Sequence, residues 1–188
     1  MDVEKASEII LSATTHDYGN FYGGPQNHLS LGVGQIYNKI RYPMYDDEDS
    51  LYDTLEGMVY VLTHECDIDQ KNERPFNKSA IICPILPLEH CLNSLNAQLV
   101  DDDLRSFLGY IGKDNVSRVT YFPAIKDYLP HGGLIDLNQL SSTHVDAFTL
   151  DGSVRINALT ASGLRILDYK ITNHLLRPKS EKVSLHRF

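Results

Sequence analysis

The run Met58-Val59-Tyr60-Val61-Leu62 has no polar residue at either parity. A strand with one face in water alternates apolar and polar side chains, so an unbroken β-branched and aromatic run requires cover on both faces. The chain must therefore build a sheet with other elements packed above and below this strand. Read as one extended segment, the strand runs from Gly57 through THECDI to Ile68, which deals His64 and Cys66 to one face and Glu65 and Asp67 to the other. SAIICPIL, residues 79–86, has the same buried character, and Pro84 lacks an N–H, which places it at a sheet edge or strand end. The two strands are expected to pair antiparallel across the polar link QKNERPFNK.

The remaining segments supply the cover. Val3, Ala6, Ile9 and Ile10 share one face of a short amphipathic helix. Residues 15–34, rich in glycine and aromatic residues, read as a long irregular loop. GQIYNKIRYPM reads as a first strand ended by Pro43, and YDDEDSLYD, residues 45–53, as a solvated loop. Residues 88–112 give a helical insertion in two pieces, with Asp101 to Asp103 as cap and acidic first turn of the second. Strands are expected in VSRVTYFPAI, in GLIDLNQL and at Val154 to Ile156. Thr160 is a natural N-cap for a C-terminal helix over 160–177, with Leu164, Leu167, Ile171 and Leu175 as its apolar stripe. No βαβ series and no Gly-rich phosphate loop occur. The reading is a single domain, 1–188, mainly β with helices: a small curled antiparallel barrel carrying a helical insertion and a terminal helix.

Composition narrows the function classes. The net charge of -8 sets an average field that repels polyanions, which disfavours nucleic acid as a partner. No apolar run approaches the roughly 18 residues that a membrane span needs, and the stretch after Met1 has no apolar h-region, so a cytoplasmic address is expected. Cys66, Cys83 and Cys91 are odd in number and irregularly spaced, as suits reduced thiols.

The strand GQIYNKI, the central EGMVYVL, the following IICPIL and the return GLIDLNQLSSTHVDAF before the helix at LTASGL resemble the SH3-like barrels of the MazF/PemK-type growth toxins. That resemblance, over about half of the chain, implies a bacterial or phage-associated, toxin-antitoxin-like setting and a homodimer or protein partner. It also implies an RNA-cleaving site where an arginine and a proline lead the central strand and a small hydroxyl residue ends the next. Here Glu56-Gly57 stands at the first position and Leu86-Pro87 near the second. Without the cation, stabilisation of charge developing on phosphorus is lost.

Three chemistries compete at the end of the central strand. His64, Glu65, Asp67 and Asp69 form an acid–base set for metal-assisted phosphodiester cleavage, with Mg²⁺ held by these carboxylates and those of the run Asp46 to Asp49. His64, Cys66 and Cys83 offer imidazole and thiolate ligands for a structural Zn²⁺. A thiol nucleophile at Cys66 or Cys83 needs His64 and Asp67 on one face, which an extended strand denies. Lys39, Arg41, Arg118 and Tyr121 compose a strip for phosphate and stacked base. The expectation is a noncatalytic interaction module with no cofactor, against the alternatives of a phosphodiesterase or endoribonuclease and a structural zinc protein.

Overall fold

The computed structural model describes residues 1–26, 29–46, 51–69, 71–72, 78–150 and 152–176. Asp47 to Asp49 and the expected helix end at 177–178 lie outside the described residues. In chain order the elements are α1 (Val3–Ala13), β1 (Gln35–Asp46), β2 (Leu51–Val61), α2 (Glu65–Ile68), β3 (Ser79–Pro87), α3 (Leu88–Gln98), α4 (Asp101–Gly112), β4 (Val119–Phe122), β5 (Gly133–Asp136), β6 (Ser141–His144), β7 (Val154–Ala158) and α5 (Ala161–Ile171). The fold is mixed: a mostly antiparallel sheet with five helices among the described residues.

The sheet order is β4-β5-β3-β2-β1-β7, with β6 also on β3. β2 and β3 pair antiparallel, Met58 opposite Ile85 and Val61 opposite Ile82, as their shared apolar character requires. On its other edge β3 pairs with β6 through Ser79 to Ile82 and with β5 through Leu86 and Pro87. Pro84 is thus inside the strand rather than at its end. It is tolerated there because its other flank falls in the gap between β6 and β5.

The sheet curls enough for β6 to reach back to β1. Ser141 Oγ donates to Pro43 O at 2.7 Å and Thr143 Oγ1 to Arg41 O at 2.9 Å. These are side-chain links, and no backbone ladder joins β6 to β1, so the expected barrel is not closed by strand pairing among the described residues.

The core on the two sides of β2 meets the demand of the MVYVL run. Met58 and Tyr60 pack with Phe21, Ile36, Phe122 and Leu167 of α5. Val59 and Val61 pack with Tyr37, Ile40, Ile82 and Phe148. Each fully buried side chain of this size contributes about 1.5–3 kcal/mol. A third cluster joins Ile10 of α1, Leu88 and Leu92 of α3 and Leu104 and Leu108 of α4 to Tyr121 and Leu134.

Several boundaries differ from the expectation. Pro43 does not end β1; it faces Thr54, and pairing runs on to Asp46 opposite Leu51. A ribbon edge accepts a proline because only one side of it needs a ladder. Much of the stretch expected as an acidic loop is therefore strand. Two residues of β1, Asn38 and Lys39, stand opposite Met58 alone, a β-bulge in which Lys39 takes φ +59°. Asp101 to Asp103 lie in the first turn of α4 while Val100 occupies the N-cap position. Thr160 caps α5 as expected, its Oγ1 accepting from Gly163 N at 3.2 Å. Gly163 itself is required by packing, since a Cβ there would stand 2.4 Å from Phe21 O.

Candidate functional site

β2 does not continue into THECDI. Leu62 N donates to Ile81 O at 2.9 Å and Ile81 N to Thr63 Oγ1 at 2.6 Å, so a threonine side chain takes the next rung of the ladder and the backbone is released. Asp67 N then bonds His64 O at 3.0 Å, and residues 65–68 form one helical turn. The expected division onto two strand faces is overturned, because helical geometry gathers residues that a strand separates. His64 Nδ1 stands 3.2 Å from Glu65 Oε2 and 3.6 Å from Cys66 Sγ, and Cys66 Sγ is 3.8 Å from Asp67 Oδ1. Asn72 Nδ2 donates to Cys66 O and Asp69 Oδ1 accepts from Lys71 N, which close the loop behind the turn.

The gathered groups stand in solvent, with the side chains of His64 and Glu65 59% and 54% exposed. The third expected zinc ligand is elsewhere: Cys83 is fully buried, its Sγ donating to Asp136 O, and burial pushes its thiol up to about 12. Among the described residues no three His, Cys, Asp or Glu side chains are grouped so as to hold a metal ion.

The expected phosphate strip is dispersed. Arg41 faces Glu56 across the ribbon and pairs with it at 3.1 Å, both in solvent. Lys39, turned by the bulge, lines a shallow groove of about 320 Å³ with that pair. Arg118 is held by both carboxylate oxygens of Asp136. Tyr121 is buried, hydrogen-bonded between Ser7 Oγ and His131 O, each at 3.0 Å. Glu56-Gly57 and Leu86-Pro87 do come together, lining one groove of about 420 Å³ with His90, Asp127 and Tyr128. Besides tyrosine hydroxyls, its ionisable groups among the described residues are two carboxylates and an imidazole, with no arginine.

Two arrangements escaped the sequence reading. The first is a buried charge cluster. The His16 ring contacts the Asp114 carboxylate, whose other oxygen is 2.9 Å from Lys170 Nζ; that ammonium is 2% exposed and also donates to Val116 O. Asp114 follows α4 in a left-handed conformation, φ +59°, with Asp114 N to Ile111 O and Asn115 N to Tyr110 O closing the helix end. Glycine commonly fills that position; an aspartate here spends backbone strain to place a carboxylate between α1's exit loop and α5. Separations of 98 and 56 residues left no local signal of it.

The second is the ribbon. The outer halves of β1 and β2 pair from Arg41 opposite Glu56 to Asp46 opposite Leu51, and residues 51–56 of β2 are all exposed. Tyr45 and Tyr52 face each other there, ring centroids 5.4 Å apart, with Tyr45 48% and Tyr52 75% exposed. Residues 51–57 carry no apolar alternation that would mark a strand, and their acidic neighbours favour a loop. No helix of the described residues is long and apolar enough to cross a membrane. No family model, curated protein or solved structure matches the chain.

Proposed function

We propose that the chain is a noncatalytic protein-interaction module, with the β1–β2 ribbon as its recognition element on a small curled sheet of the SH3-like kind that the sequence resemblance implies. The observation that carries this reading is the outer ribbon itself. A two-stranded arm that leaves two tyrosines and Leu51 in water spends apolar surface on nothing within the fold. Tyrosine pairs of this sort supply contact area at small entropic cost when a partner covers them. The partner is a protein segment or a second copy of the chain. Sedimentation velocity at micromolar concentration, together with co-purification of partner, tests the reading on the full chain and on the Tyr45→Ala/Tyr52→Ala variant. Association in the first that disappears in the second is expected. A strict monomer that retains no partner overturns it.

The convergence of His64, Glu65, Cys66 and Asp67 supports a second reading, a metal-assisted phosphodiesterase or endoribonuclease. In that reading Asp67 and Glu65 position an ion and water, and His64 moves the proton. Two observations stand against it: among the described residues no three such side chains are grouped so as to hold an ion, and the cluster is exposed, whereas charge stabilisation at phosphorus draws its strength from a water-excluded site. Cleavage of an RNA and DNA panel, abolished by Asp67→Ala in a normally folded protein, is the result that would establish it. A structural zinc role would require about one equivalent of zinc in protein prepared without chelator.

A further inference from the structure

We propose, building on the interaction-module reading, that the groove between the ribbon and residues 138–142 takes an uncharged, proline-rich segment in the polyproline II conformation. Among the described residues, this groove, about 520 Å³, is lined by no acid or base except the tyrosine hydroxyls, in a chain of net charge -8. A charged ligand seated there would lose water without gaining an opposite charge. A nucleic-acid strand is excluded on the same ground, because backbone phosphates need cations beside the stacking rings.

The lining mixes apolar faces with a row of polar side chains, Asn138, Gln139, Ser141 and Ser142, that can donate hydrogen bonds. Tyr45 and Tyr52, edge to face at 67°, stand on one side and Leu140 on the other. Pyrrolidine rings pack on such surfaces, and a polyproline II strand presents unbonded carbonyls that seek donors while offering few N–H groups. Asn138 is set up to donate: its Oδ1 is occupied by His174 Nε2 at 2.7 Å, which in turn is oriented by Ser117 Oγ at Nδ1, so the amide nitrogen faces outward from that chain of bonds. The side chains of Gln139 and Ser142, and both tyrosine hydroxyls, have no partner among the described residues.

Addition of a β-strand, the other common mode for an extended peptide, is blocked on this side. The hydroxyls of Ser141 and Thr143 already occupy Pro43 O and Arg41 O, the carbonyls of β1 that a new strand would use. Proline, needing no ladder, suits a groove that offers none.

The test is fluorescence anisotropy of a labelled peptide of repeating Ala-Pro-Pro, titrated with the full chain, beside a Gly-Ser peptide of equal length and a neutral glucan oligosaccharide as competitor. Binding of the proline peptide is expected, insensitive to added salt, with Tyr52→Ala weakening it roughly tenfold or more and Gln139→Ala roughly threefold. Tyr128→Ala, outside the groove, leaves it unchanged. Circular dichroism verifies that each variant folds. Displacement by the glucan, or equal binding of the Gly-Ser peptide, overturns the assignment of the ligand. No binding of any probe, with self-association lost in Tyr52→Ala, overturns the ligand and leaves the module reading in place with a second copy as partner. No binding by a protein that is also a strict monomer without partner removes both.

Discussion

Two polar clusters in this molecule differ in almost every respect. His64, Glu65, Cys66 and Asp67 are adjacent in sequence and stand together in water. His16, Asp114 and Lys170 come from three distant segments and meet under cover, with Lys170 2% exposed. Sequence proximity drew attention to the first, but the second is the one the fold spends free energy to hold. A buried ammonium costs several kcal/mol in desolvation unless a carboxylate and further acceptors surround it, and here Asp114 and Val116 O do. The difference shows that density of ionisable residues along a chain measures neither burial nor coupling.

Removing Asp114 is the sharpest way to break the comparison. Asp114→Ala strands the Lys170 ammonium and keeps the left-handed strain, so a loss of about 3–5 kcal/mol in urea unfolding is expected. Asp114→Gly relieves the φ of +59° and should lose about 1 kcal/mol less. Equal losses for the two would mean that the backbone carries no strain there. A loss under about 1 kcal/mol for both would mean that the cluster is no staple.

The cysteines extend the contrast. Burial first, and Asp136 second, hold the Cys83 thiol well above its ordinary 9.0, at about 12. Above pH 9 the unfolded thiol ionises while the folded one stays protonated, so the unfolded state binds fewer protons and stability falls as pH rises. The slope is up to about 1.4 kcal/mol per pH unit between pH 9 and pH 12. Cys83→Ala should flatten the alkaline limb by that amount, read from urea titrations across the window. Exposed Cys66 should take a thiol reagent in the folded protein, with Cys83 labelled only on unfolding.

What was legible in the sequence follows physical range. MVYVL announced burial on both faces, and Thr160 announced the start of α5, because each rests on neighbours along the chain. Residues 45–53 read as loop because acidic residues crowd them and Pro43 precedes them, and two exposed strands need neither an apolar run nor alternation to form. THECDI reads as strand in the sequence because the true end is set by Thr63, whose hydroxyl finds Ile81 18 residues away. The buried ion cluster left no trace because no segment contains more than one of its members. The groove beside Tyr45 and Tyr52 depends on the curl that brings β6 to β1, which is a property of the whole sheet.

Thr63 also gives a smaller test of how the exposed cluster is made. Thr63→Val leaves the Ile81 N–H without its acceptor, and a loss of about 1 kcal/mol is expected, moderated by water reaching a half-exposed site. Faster amide exchange at Ile81, with the rest of β3 unchanged, would localise the effect.

The smallest effect should come from the cluster itself. His64→Ala removes contacts to Glu65 and Cys66, yet all of these groups are solvated, and a surface pair between them is worth at most a few tenths of a kcal/mol after side-chain entropy. A change within about 0.5 kcal/mol in urea unfolding is expected, with the same dependence on denaturant. Glu65 is the member with more to lose, because Gly32 packs so closely on it that a Cβ there would stand 2.9 Å from the Glu65 Cβ. A loss above about 1.5 kcal/mol for His64→Ala would therefore mean that the turn is locked against the 30–34 loop through the imidazole. The two clusters would then differ in location but not in kind.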